Sequence, residues 1–429
     1  MVLSSAVQFA GLVGGVPGLA GTAYGWTVGA KLGLLGILFA FAVANRYRLA
    51  PALMRDAPEA ARRTLLRAIA VQTGFGVLTV LAAGILSSLP PAVHEQPAWP
   101  FPLRPSLAVM ADADLAAEVW TGTLMLAGAA GALLALLCRP MRRRAPFAGT
   151  LALAGLLAWL AAPHLSLLLV EAYPTSYCTS STGFAAASVV QGAALYPEHC
   201  ARCHGAEGRG DGPDAGTLPV PPADLAAAHL WEHADGELFW WLLHGMEAPD
   251  GTQAMPGFAG VLFDDQRWAL IDAIRARNAG LAFRDSGAWP QPVALPTFSL
   301  ACPGRDSLAT DDLRGRVLYL VAKQPGVLLP KPPGASVLLV VLTREEPEGR
   351  PACTSSDPAA WDALAVVTGQ SPDKLAGSRM LVDGNGWMRA FKAGPDAAAW
   401  DDPGARAAAV QAIAAAPITA AGGEGHHHH

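Results

Sequence analysis

The chain has 429 residues, 52% of them hydrophobic and only 15% charged, with a net charge of -5. A soluble chain carries about a quarter charged residues, so part of this one is solvated by lipid, and both a purely soluble and an intrinsically disordered reading are excluded. No basic stripe interleaved with aromatics is present, which excludes nucleic acid as a partner. Length predicts two to four domains, and glycine (45) and proline (35) are too scattered for a repeat architecture.

Four apolar runs predict membrane spans. The first, Trp26 to Asn45, carries only Lys31 and is closed by Arg46 and Arg48; the others cover about 68–89, 119–137 and 147–170. Each is near the roughly 20 residues that cross a bilayer. Lys31 is expected to snorkel at the outer end. Arg46, Arg48, Arg55, Arg62, Arg63 and Arg67 flank the first connection, and Arg139, Arg142, Arg143 and Arg144 crowd the third, so both are expected on the cytoplasmic side. The segment around His94, Pro97, Trp99 and Phe101, and everything after Glu171, are then expected outside the cytoplasm. Val2 to Val16 is apolar and glycine-rich but has no basic flank; it is expected as a fifth helix rather than a cleaved signal.

Cys200-Ala201-Arg202-Cys203-His204 carries the chemistry. Two thiols three positions apart on a helical turn can each add to one vinyl group of a single porphyrin, and the adjacent histidine is held beneath the iron as an axial ligand. The alternatives are a thioredoxin-type dithiol, which wants a preceding strand, and a zinc site, which wants a second ligand pair. Neither is supplied. Haem c, covalently attached, is the expected cofactor. A methionine raises the potential of such an iron as second axial ligand. Met255, in Ala254-Met255-Pro256-Gly257-Phe258, is the expected one, with Met246 as the other candidate and His229, His233 and His244 as rivals. Helices are expected over 185–196, 235–243 and 264–278, with Phe239, Trp240, Trp241 and Trp268 enclosing the ring.

These residues resemble the class I cytochrome c family: Gly192, Leu195 and Tyr196 before the motif, Gly208, Gly210, Asp211, Gly212 and Pro213 after it, then Met255-Pro256-Gly257-Phe258 and Trp268. The resemblance implies that Met255 is the distal ligand and that a backbone carbonyl in Pro219 to Pro222 holds the other nitrogen of His204. Residues 1–91, with Thr22-Ala23-Tyr24-Gly25, Lys31, Asn45-Arg46, Arg62-Arg63 and Leu89-Pro90-Pro91, resemble the C-terminal half of the copper resistance D (CopD) family of bacterial inner-membrane proteins, with Gln72 where a glutamate is expected. Residues 293–417 resemble thioredoxin-like (redoxin or SCO-like) domains through Pro296-Thr297-Phe298-Ser299-Leu300, Asp312-Leu313-Arg314-Gly315-Arg316 and Val382-Asp383-Gly384-Asn385-Gly386. After Val321 the sequence reads Ala322-Lys323-Gln324-Pro325, so the active-site dithiol of that family does not carry over. Cys302 and Cys353 are then either a structural disulfide, as an oxidising compartment permits, or two buried thiols.

The expected architecture is multidomain. An α-helical membrane bundle of four to five spans covers 1–172, and a linker 173–184. An all-α class I cytochrome c domain covers 185–283, a second linker 284–292, and an α/β thioredoxin-like domain 293–417. The tail, 418–429, ends in His426 to His429 and reads as a tag. Copper is the second metal the reading admits, through His164 and His94 near the outer face, with Met110, Met125, Glu171 and Cys178 nearby. The expected function is an inner-membrane-anchored periplasmic c-type cytochrome that carries single electrons to or from a redox protein or cupredoxin, linked to copper handling. The alternative is a copper transport or insertion protein whose helices bind or pass copper while the haem sets its oxidation state. No nucleophile or pair of carboxylates poised for catalysis stands out, so an electron carrier is expected over an enzyme.

Overall fold

The computed structural model describes residues 11–52, 58–137, 144–330, 337–345 and 352–418. The chain divides into two compact units, 1–104 with 170–179, and 105–169 with 180–429. Most of the expected helix over Val2 to Val16, Arg55, the Arg139, Arg142 and Arg143 loop and the histidine tail lie outside the described residues.

In the first unit, helix α1 (Ala23–Ala44) is opened by Thr22, whose hydroxyl accepts from the Gly25 amide at 3.0 Å. It packs against α2 (Pro58–Ser88), which stops before Pro90-Pro91. Phe41 and Phe75 meet at 6.1 Å, and Asn45 donates to Gln72 Oε1 at 2.9 Å. Beyond α2 the chain binds the segment that leaves the last span: Gln96 Oε1 accepts from the Thr179 amide at 2.9 Å, and Trp99 lies edge-on to Tyr177 at 4.8 Å. Phe39 and Val80 are each 72% exposed, so these helices turn large apolar side chains outward, the inverse of a water-soluble helix pair.

The second unit opens with the hairpin α3 (Ala113–Leu137) and α4 (Arg144–Ser166), equally apolar on the outside. With α1 and α2 these make four helices long and apolar enough to cross a membrane among the described residues.

The region from 180 onward contains two lobes. The helical lobe comprises α5 (Ala186–His199), a helical turn (Ala201–His204), α6 (Asp235–His244) and α7 (Asp264–Ser286). Helices α5 and α7 cross at Gly192, where a Cβ would lie 1.8 Å from the Ala269 carbonyl oxygen, so only glycine permits the approach. Two features correct the expectation. The lobe is not all-α, because β1 (Gly245–Glu247) and β2 (Gln253–Pro256) form an antiparallel hairpin around the Asp250-Gly251 turn. Helix α7 also runs eight residues past Asn278, since no residue breaks it before Gly287 caps it.

The sheet lobe has strands β3 (Ser299–Cys302), β4 (Arg305–Ala309), β5 (Val317–Ala322), β6 (Val337–Leu342), β7 (Cys353–Ser355), β8 (Arg379–Val382) and β9 (Met388–Lys392), in the order β9-β8-β5-β6-β7-β3-β4. Strands β5, β6 and β7 are parallel and the rest pair antiparallel. The unbroken apolar runs of β5 and β6 suit strands covered on both faces. One face packs on α8 (Pro358–Val367), the other on α9 (Pro403–Ala415). A central sheet of this kind is consistent with a thioredoxin-like fold. Cys302 and Cys353, facing each other across β3 and β7, are joined as a disulfide.

The two lobes are not spaced by a linker. Val189, Ala276 and Ala279 of the helical lobe share one core with Leu320, Trp361 and Leu364 of the sheet lobe. At Gly280 a Cβ would lie 2.0 Å from the Val366 carbonyl oxygen. The expected spacer 284–292 contributes to this junction: Trp289 packs on Phe283 at 4.4 Å and donates to the Val367 carbonyl at 3.2 Å.

Candidate haem site

The motif sits where α5 ends and a single helical turn follows. The amides of Cys203 and His204 both donate to the Cys200 carbonyl, at 3.2 and 2.9 Å, which fixes Cys200, Cys203 and His204 on one turn. Gly205, at φ +79°, then reverses the chain. The glycine-rich segment after it folds back on the motif: Gly210 N donates to the His204 carbonyl at 2.9 Å and Gly212 N to the Cys203 carbonyl at 3.1 Å. Tyr196 closes the base with its hydroxyl on the Gly205 carbonyl at 3.0 Å.

His204 Nδ1 lies 3.0 Å from the Ala223 carbonyl. A carbonyl only accepts, so Nδ1 carries the proton and Nε2 keeps its lone pair for a metal. The expected carbonyl within Pro219 to Pro222 is thus corrected by one residue. Pro221 and Pro222 set the direction in which Ala223 presents its oxygen, because each fixes its own φ. That segment is pinned from α7 by Asn278, only 1% exposed: Nδ2 donates to the carbonyls of Leu225 and Ala227 at 2.8 and 3.0 Å, while Oδ1 accepts from Trp231 Nε1 at 2.6 Å. Arg275 pins the next stretch through the carbonyls of Leu230 and His233, both at 2.6 Å. The sequence reading missed Asn278 and Arg275. Their signal was a polar residue on the face of α7 that otherwise carries Ile271 and Ala279.

Burial pushes the Cys200 thiol up to about 12. Met246 and Met255 are paired across the β1–β2 hairpin, Met246 exposed and Met255 half-buried. Trp268 is buried and stacked on Phe239 at 4.4 Å, and Trp240 lies against the His244 ring at 3.9 Å. The rival histidines have other neighbours: His233 meets Trp241 edge-on at 4.8 Å and has Nδ1 3.6 Å from Glu237 Oε2, and His229 lies 6.2 Å from the His233 ring. A tautomer-locked histidine beside two cysteines on one turn, with thioethers on the hairpin, is a donor set that fits haem.

The candidate copper residues are placed differently. His164, on α4 beside the close approach of Gly122, has Nδ1 3.8 Å from Glu118 Oε2 of α3. His94 ends a short helical turn, and burial pushes the Cys178 thiol up to about 11. Among the described residues no group of three or more His, Cys, Asp and Glu is arranged to hold a metal ion.

Apolar spanning helices followed by a c-type haem motif define a membrane-bound cytochrome. Residues 2–86 match the family model for copper resistance protein D, and residues 187–272 match that for cytochrome c oxidase, cbb3-type, subunit III. Together these matches point to a membrane copper-resistance protein with a haem-type electron-transfer domain, and the second implies covalently bound haem c. No sequence among the curated proteins matches the chain. Among solved structures it is similar to a reducing HAO-like protein complex of Kuenenia stuttgartiensis, at 23% identity over 28% of this chain and 58% of that one, with a TM-score of 0.20. It is also similar to the solution structure of a candidate protein disulfide isomerase from Bacteroides thetaiotaomicron, at 20% identity over 28% of this chain and 86% of that one, with a TM-score of 0.21. The chain thus spans under two thirds of the first of these.

Proposed function

We propose that the protein is an inner-membrane-anchored periplasmic cytochrome that passes single electrons between a redox partner and a copper-handling process. The observation that carries this reading is the His204 Nδ1 contact with the Ala223 carbonyl, which directs Nε2 of a Cys200/Cys203-flanked imidazole at a metal. Haem, when bound, supplies a one-electron iron couple whose potential a thioether ligand raises. The chain supplies the rest. Cys200 and Cys203 fix the porphyrin, His204 binds the iron, Met255 offers the second ligand, and Trp240, Trp268 and Pro222 belong to the surrounding wall. Asn278 and Arg275 hold the loops that position them. The copper link rests on the match over residues 2–86 and extends to the partner, a copper protein such as a cupredoxin or a neighbouring membrane redox protein. His164 and His94 are the side chains through which the helices would meet copper.

Reduced-minus-oxidised spectra of the full-length protein test the reading. A c-type α band is expected, retained after acid extraction in the parent and lost or shifted in Cys203→Ala; no band in the parent overturns it. Iron without copper in the purified protein favours the electron carrier, whereas changed copper accumulation in cells carrying His164→Ala favours the transport alternative.

A further inference from the structure

The chemistry-bearing feature that the cytochrome does not absorb lies at the other end of α1. There the helix passes into a π-helical stretch, Asn45–Leu49, a geometry found frequently at functional sites. The widened turn opens a groove of about 620 Å³ between α1 and α2, lined by Ala42, Asn45, Arg46, Tyr47, Leu65 and Ile69. One end of it is polar and cationic, with Arg46 5.8 Å above the Tyr47 ring, and the side toward α2 is apolar. Asn45 donates to Gln72, but its own Oδ1 is buried with no partner. Arg46, Arg48, Arg62, Arg63 and Arg67 surround the region, against Glu59 alone among the described residues 45–69.

We infer that this groove binds one anionic glycerophospholipid, such as phosphatidylglycerol. The phosphate meets Arg46, and an acyl chain lies along Leu65 and Ile69. The position at the end of a spanning helix, with a cation on one side and an apolar wall on the other, matches an amphiphile rather than a soluble anion.

The test is native mass spectrometry of the full-length haem protein in mild detergent, titrated with phosphatidylglycerol or with phosphatidylcholine of the same acyl chains. A guanidinium near a membrane surface contributes about 1 kcal/mol toward an anionic lipid, roughly fivefold in affinity. One saturating copy of phosphatidylglycerol is therefore expected, bound about fivefold more tightly than phosphatidylcholine. Arg46→Gln is expected to erase that preference and Arg46→Lys to restore most of it. Arg48→Gln, which removes the same charge outside the groove, is expected to leave it within about twofold. If Arg46→Gln fails to accumulate, Leu65→Trp is expected to abolish the single tight copy by filling the apolar wall. Equal affinity for the two lipids, or equal weakening by the Arg46 and Arg48 variants, overturns the site in favour of bulk charge. Displacement of the lipid by an equal concentration of glycerol 1-phosphate overturns it in favour of a soluble anion.

Discussion

In the helical lobe the buried polar groups do the positioning. Asn278, Arg275 and Asp272 all lie on one helix; Asn278 and Arg275 hold loop carbonyls, and Asp272 accepts from Thr182 before α5 and Ser188 within it. The sheet lobe has such pins as well, Arg379 on the Gly377 carbonyl and Arg406 on the Trp400 carbonyl, but they surround an apolar core in which Tyr319, Leu320, Val340 and Leu381 are fully buried and whose edge Cys302–Cys353 ties. The difference lies in what the pins hold: in the helical lobe they hold the segments around the Cys200–His204 motif, in the sheet lobe the ends of strands. The two lobes share one hydrophobic core across α5, α7 and α8.

The sharpest way to break this comparison is to end the chain after residue 292. Burial of each large apolar side chain contributes about 1.5–3 kcal/mol, and the junction loses Trp361, Leu364 and Val367 at once, an appreciable part of the 5–15 kcal/mol a domain has. Loss of the cooperative melt and of haem incorporation is expected, read by circular dichroism and haem yield. A truncated protein that melts like the parent would make the lobes independent.

Asp272 gives the next largest effect. It is 4% exposed, accepts from Thr182 and Ser188 hydroxyls at 2.5 Å each, and burial raises its carboxyl to about 7. Between the unfolded carboxylate pKa, about 4, and about 7 the folded chain holds the extra proton. The contribution to stability is therefore full below about pH 4 and is lost as pH rises through about 7, by up to about 4 kcal/mol. Denaturant melts at pH 5 and pH 8 should show this slope, and Asp272→Asn should flatten it. An unchanged slope would remove Asp272 as its source.

Replacing Cys302 and Cys353 together by serine should cost about 2–4 kcal/mol, as expected for a cross-link spanning 51 residues, with an unchanged haem spectrum. A spectral change would assign redox coupling to the sheet lobe. Asn278→Ala leaves two buried carbonyls without their donor, at about 1–3 kcal/mol, and should loosen Ala223 from His204. Broadened signals of the axial histidine would confirm this pinning, and sharp, unshifted ones would contradict it.

Much of this was legible because the decisive features are local. Cys200, Cys203 and His204 lie within five residues, and the four apolar runs stand out by their length and by the charges or prolines that bound them. What was not legible depends on tertiary approach. Nothing in the order of residues distinguishes Ala223 from Pro222 as the carbonyl that reaches His204, since that choice is fixed by Asn278 some 55 positions later. The cross-strand Met246/Met255 pair was hidden because strands of three and four residues carry too little alternation to show. The fused core was hidden because Gly280 looks like an ordinary helix glycine until the Val366 backbone that occupies the place of its missing side chain is known.

The central claim is that this chain holds a porphyrin by two thioether bonds at Cys200 and Cys203, and it is tested most directly by the intact mass of the mature protein under denaturing conditions. The account predicts the polypeptide mass plus one haem, with the added mass localised to the peptide containing Cys200-Ala201-Arg202-Cys203-His204. An unmodified chain, or a haem that separates on denaturation, would contradict it.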